Sequence, residues 1–133
     1  MDQGPRLHQR SSFIPADKHD LDAVRAAIAA GWPAIAPVVP DLLVWMQDLN
    51  WPVAKELAPL LVSLGAPLAP AIRQILDGDD GIWKHHLIFR VVVRSPALLQ
   101  ALAADLHRLA ADPSASDRAE EVDVEAREAL LLL

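Results

Sequence analysis

Acids, amides and lysines gather beside tryptophans in two blocks of this sequence. One reads Trp45-Met46-Gln47-Asp48-Leu49-Asn50-Trp51-Pro52-Val53-Ala54-Lys55 and the other Asp79-Asp80-Gly81-Ile82-Trp83-Lys84. A carboxylate poised in a cleft can act as general acid or base. Asp48, Asp79 and Asp80 have the right type, with Lys55 or Lys84 as charge partner, so the Asp48–Asp80–Lys84 region could support a small hydrolase or lyase. The same residues also suit plain architecture. Asp80 can cap a helix, and Asp48 and Asn50 can organise a turn. The third option is recognition. Repeats in register would bring the two turns together, so that Trp45, Gln47, Asp48, Asn50, Trp51, Lys55, Asp79, Asp80, Trp83 and Lys84 share one surface. Tryptophan anchors many interfaces, but it also fills the space between packed helices.

Other chemistries find less. His85 and His86 are adjacent on an expected helix, so they point about 100° apart and cannot chelate one ion together. Gly78-Asp79-Asp80-Gly81 offers two oxygens of the kind calcium takes, but lacks the glutamate at the twelfth loop position. There is no cysteine, which removes thiolate catalysis, disulfides, cysteine–zinc sites and iron–sulfur clusters. No Gly-x-Ser-x-Gly elbow and no glycine-rich phosphate loop occurs. Neither a metal nor a cofactor is expected.

The 133 residues carry a formal net charge of −6. That opposes nucleic-acid binding, which needs a concentrated basic face. Arg6, Arg10 and Lys18 are too scattered to make one. Acid gathers late, at Asp117, Glu120, Glu121, Asp123, Glu125 and Glu128, as a solvated helix face or a surface for a cationic partner. No apolar signal core opens the chain, and no run approaches the roughly 20 apolar residues of a membrane span. A cytoplasmic protein with no membrane contact is expected.

The elements that must hold these residues read as helices. Residues 1–16 are expected to be a flexible arm, with Phe13 and Ile14 docking on the body, and 17–133 a single helical-repeat domain. Asp20 can cap a helix that Gly31 ends, with Leu21, Val24 and Ile28 inward. Trp32-Pro33 restarts the chain into a helix over 34–48, where Pro40 marks a kink or the true first turn. Further helices are expected over 52–64, 67–77, 80–94, 95–111 and 117–131. In the fifth, Ile82, Trp83, Leu87 and Val91 face the core. The β-branched run Leu87–Val93 has no second strand to pair with. Trp51 and Trp83 lie about 32 residues apart, within the spacing of helical repeats. The expected fold is all-α, a HEAT-like α-α superhelix of stacked helical hairpins with about seven helices.

The blocks from Leu42 to Ala54 and from Asp79 to Lys84 resemble the small bacterial family DUF5071, a domain of unknown function. The opening Ile14-Pro15-Ala16-Asp17-Lys18-His19-Asp20 is similar to that family's start, and Glu120-Glu121-Val122-Asp123-Val124-Glu125-Ala126 to its acidic end. The resemblance spans about residues 13 to 131 and implies a compact HEAT-like superhelix with no assigned chemistry. His85-His86 departs from it, standing where an aromatic is expected. The functional expectation is a non-enzymatic module that binds another protein, one with a basic patch, in an immunity-like role for instance. A homo-oligomeric structural protein, joined through Leu130–Leu133, is the third expectation beside the small hydrolase or lyase.

Overall fold

The computed structural model describes residues 12–133, and the expected arm lies largely outside them; Phe13 and Ile14 are half-buried. Every regular element among the described residues is helical. The chain divides into two compact units with the boundary at Leu60.

In the first unit, α1 spans Leu21–Ala30. Asp20 caps it as expected, accepting from the Ala23 N–H at 3.3 Å, and Gly31 ends it at φ 64°, a conformation that glycine adopts without steric cost. The buried stripe is Ala23, Val24 and Ala27. Ile28 falls outside it and is 47% exposed, contrary to expectation. A 3₁₀ turn over Ala36–Val38 leads into α2, Val39–Leu43, and a second one follows at Val44–Gln47. Pro40 sits in the first turn of α2, where its missing N–H costs no intrahelical bond. The expected single helix over 34–48 is thus three short pieces. Ile35, Val38, Leu42, Leu43 and Met46 are nevertheless all buried. The next helix, α3 (Pro52–Leu64), has Pro59 inside it and runs through the unit boundary. The Val53 N–H at its first turn donates to the Lys18 carbonyl at 3.1 Å, giving one otherwise orphaned donor a partner.

The second unit opens with a 3₁₀ turn at Ala66–Leu68 and α4, Ala69–Leu76. It continues with α5 (Gly81–Arg90), a 3₁₀ turn at Val92–Arg94, α6 (Pro96–Ala101), α7 (Ala103–Ala111), α8 (Ala115–Ala119) and α9 (Val122–Leu130). Asp80 caps α5 and Ser95 caps α6 with Pro96 in its first turn, as their residue types predict. The described residues hold nine α-helices rather than about seven. One extra break comes at Leu102 (φ −106°, ψ 11°), which separates α6 from α7. The other comes at Glu121, a non-glycine residue held at φ 57°, which separates α8 from α9. Neither residue type announces a break. In this unit α9 lies along α7 and α5, burying Val122, Ala126 and Ala129. No single helix among the described residues is long and apolar enough to cross a membrane.

One local pattern occurs twice, in a different register from the tryptophans. Ala36-Pro37-Val38-Val39-Pro40 and Ala66-Pro67-Leu68-Ala69-Pro70 each build a 3₁₀ turn and then a helix with the second proline in its first turn. Helices α1, α3 and α5 open at Leu21, Pro52 and Gly81, about 30 residues apart. The residue before each first position is Asp20, Trp51 and Asp80. Trp51 therefore corresponds to Asp80, and Trp83 lies inside the first turn of α5.

Gly81 opens α5 under the start of α8. A Cβ there would stand 2.7 Å from the Ser116 carbonyl oxygen, 2.9 Å from Ser116 Oγ and 3.1 Å from Glu120 Cγ. Gly→Ala in a helix usually gains about 1 kcal/mol. Here the overlap reverses the sign, and Gly81→Ala is expected to cost about 1–3 kcal/mol. Urea unfolding measures it; a midpoint equal to or above that of the parent protein would contradict the close packing.

Candidate functional site

The ten residues of the expected surface divide between the two units. Trp45, Gln47, Asp48, Asn50, Trp51 and Lys55 lie in the first; Asp79, Asp80, Trp83 and Lys84 lie in the second. In the first, Trp45 and Trp51 meet edge to face with ring centroids 5.3 Å apart, and both are half-buried. Asp48 organises the turn between them. Its side chain accepts from the Asn50 N–H at 2.9 Å and its carbonyl from the Trp51 N–H at 3.2 Å. Lys55 and Asn50 are exposed, Gln47 half-buried.

In the second unit, Asp80 Oδ1 accepts from the Trp83 N–H at 3.1 Å, and Trp83 is half-buried. Lys84 is not on the surface. The buried stripe of α5 runs through Gly81, Lys84, Leu87 and Ile88, and Lys84 is only 3% exposed. Its Nζ donates to Asp117 Oδ1 at 2.8 Å. Asp117 Oδ2 accepts from the Ser114 N–H at 3.0 Å, and Ser114 Oγ accepts from the Asp117 N–H at 3.0 Å, a reciprocal capping box on α8. Burial alone raises the Asp117 pKa; the hydrogen bond and charge of Lys84, with the bonds to Ser114, outweigh it and hold the carboxyl below its ordinary value. Sequence periodicity missed this pair, because a lysine was not expected in a core stripe. The Ser114-x-x-Asp117 spacing was the available signal.

With Lys84 turned inward, Ile82 is turned outward and is 48% exposed rather than in the core. It borders two adjoining hollows. The first, of about 230 Å³, lies among Ile82, His85, His86, Ala119, Glu120 and Glu121. The second, of about 430 Å³, lies among Asp79, Asp80, Gly81, Ile82, Ser116 and Glu120. His85 Nδ1 is 2.8 Å from the Glu120 carbonyl oxygen, which ties α5 to the end of α8. Asp79 and Asp80 are exposed and Glu120 half-buried, so the rim is acidic. Among the described residues, no group of three or more His, Asp or Glu is placed to hold a metal ion.

Residues 13–130 match the family model described as Domain of unknown function (DUF5071). A search of curated proteins finds no match.

Breaking a buried pair leaves an uncompensated charge in the interior. Lys84→Ala or Asp117→Ala is therefore expected to cost about 3–5 kcal/mol, and Lys84→Met combined with Asp117→Asn much less than the two single losses together. A double-mutant cycle by urea unfolding checks this; additive losses would show the pair is not coupled. The pH dependence has a definite sign. The folded pKa of Asp117 is depressed, so its stabilisation is present above the unfolded value near 3.9 and disappears as pH falls through the folded one. Between those values the unfolded chain binds more protons. Asp117→Asn should flatten the acid limb of stability against pH; an unchanged limb would assign acid unfolding to other groups.

Proposed function

The chain belongs to the DUF5071 family, and from that premise we propose that it is a non-enzymatic helical-repeat module that binds another protein in the cytoplasm. We take its hairpins as one domain stacked in a HEAT-like superhelix, with a repeat of about 30 residues where HEAT units run to 40–47. The observation that carries the reading is Ile82. A large apolar side chain stands exposed between two hollows, rimmed by Asp79, Asp80, Glu120 and Glu121. An apolar anchor inside a polar rim is how protein interfaces are organised. The acid rim, with its nearest lysine consumed by Asp117, suits a partner with a basic patch. An immunity-like role is one form this binding could take.

The hydrolase or lyase reading has less to rest on. Asp48 and Asp80 are engaged as turn and cap acceptors, and Lys84 is paired inside the second unit. The homo-oligomer reading keeps one specific observation: Leu131, Leu132 and Leu133 are 85%, 60% and 48% exposed.

A photo-crosslinking residue placed at Ile82 in the native host tests the reading, with Arg25 on α1 as the comparison site. A discrete protein adduct is expected at 82 and none at 25. An absence of adduct at 82, or the same adducts from both positions, would sink the proposal. An adduct of twice the chain mass would favour self-association instead.

A further inference from the structure

A third hollow, of about 460 Å³, opens farther along α5 and is walled by Phe89 and Val93 on one side and by Glu125, Glu128, Leu131 and Leu132 on the other. Phe89 is 43% exposed, and Leu131 and Leu132 more so. Two contacts join this hollow to the first. The His85 and Phe89 rings lie 6.2 Å apart, tilted by 39°, and the Glu125 N–H donates to the Glu121 carbonyl at 3.1 Å, one turn along α9. Together the two hollows line the gap between α5 and the α8–α9 edge, a furrow in two parts. One wall is Ile82, His85 and Phe89 of α5, spaced as neighbours on one helix face, and Val93 of the following 3₁₀ turn extends it. The other wall carries Glu120, Glu121, Glu125 and Glu128. From Ile82 to Phe89 the α5 wall runs about 10 Å, two helical turns.

Resting on the protein-binding reading above, we infer that this furrow receives an amphipathic basic helix of the partner. Its apolar side chains would cover Ile82, Phe89, Val93 and Leu131, while lysines or arginines on one flank face the glutamates of α9. An exposed groove with apolar anchors at Ile82 and Phe89 and an apolar far half fits a helix laid into it. The charge decides which helix. The acids lie along the α9 wall, while Arg90, 5.9 Å from the Phe89 ring centroid, and Arg94 stand on the opposite side, so the partner's basic flank must face α9. A two-fold contact with its axis across the furrow would set one glutamate row against its twin, and sedimentation reads a second copy directly. Burial raises the pKa of Glu125, and the neighbouring Glu128 and Glu121 add to this while His85 opposes it. A cation from a partner would favour its ionised form.

The test uses a labelled synthetic helix of about 18 residues with leucines on one face and lysines on one flank. One comparator carries glutamate for lysine, and another has the leucines scrambled off the face. Fluorescence anisotropy with the full chain should show both comparators binding at least about tenfold more weakly. Phe89→Asp should abolish the difference. The double variant Glu125→Lys/Glu128→Lys should exchange the preference, so that the glutamate peptide binds better. That gain cannot arise from misfolding, and circular dichroism confirms the fold. Equal binding of the scrambled peptide, or no exchange in the double variant, would overturn the inference. So would a wild-type dimer in sedimentation that Phe89→Asp splits. Lost selectivity with the Ile82 adduct intact removes the basic helix alone; loss of both removes the protein-binding reading as well.

Discussion

The second unit hangs on a charge taken out of water. Lys84 occupies a core position of α5, and removing an ammonium from solvent is expensive unless a partner compensates it. Asp117 does so only because its own chain is already fixed. One carboxylate oxygen takes the Ser114 N–H while the other takes Lys84. The capping box therefore builds the acceptor before the ion pair uses it. Three contacts then set the register of α8 on α5: Gly81 under Ser116, Lys84 on Asp117, and His85 on the Glu120 carbonyl. They use neighbouring turns of both helices, so a slip of one residue would break all three. By contrast, Arg108–Asp77, which spans α7 and the end of α4, is largely solvated and contributes little.

The same register makes the surface. A helix that turns Lys84 inward turns Ile82 outward, since the two are about 200° apart around the axis. It also brings Glu120 and Glu121 beside Ile82, with Asp79 and Asp80 at the helix entrance. The base that would have neutralised this edge is spent in the core. An acidic rim around an exposed isoleucine is thus a consequence of the buried pair, and the chain's net charge of −6 is expressed locally here.

Much of the fold was legible because end signals act through single residues. Asp20, Asp80 and Ser95 cap helices wherever their side chains can reach the second or third N–H. Pro40 and Pro96 sit in first turns, where a missing N–H costs no intrahelical bond. What escaped depends on contacts far along the chain. Apolar counting placed Ile82 in the core and left Lys84 at the surface, because the partner that permits burial lies in another helix. Glu121 is held in a left-handed conformation between two helices, and glutamate carries no sign of it. The tryptophan spacing was a misleading ruler. Trp51 precedes its helix and Trp83 lies within one, so their separation measures no repeat; the pattern that occurs twice is the Ala-Pro-x-x-Pro turn. Trp45, Trp51 and Trp83 are half-buried, neither a buried seam nor a free surface, and Trp45 meets Trp51 edge-on.

Glu125 shows what the acidic edge costs the isolated molecule. Its pKa is raised, first by burial and then by Glu128 and Glu121. A carboxyl with a raised folded pKa favours the fold when protonated, and that contribution is lost as pH rises through the folded value. At neutral pH Glu125 is therefore an electrostatic burden that packing elsewhere must offset. Asp117, of the same chemistry and more deeply placed, is shifted the other way because Lys84 and Ser114 stand against it. The difference between them is a partner. Asp117 has its cation within the chain, while Glu125 has His85 nearby and two acids beside it. A cation laid along α9 would relieve the repulsion among Glu121, Glu125 and Glu128.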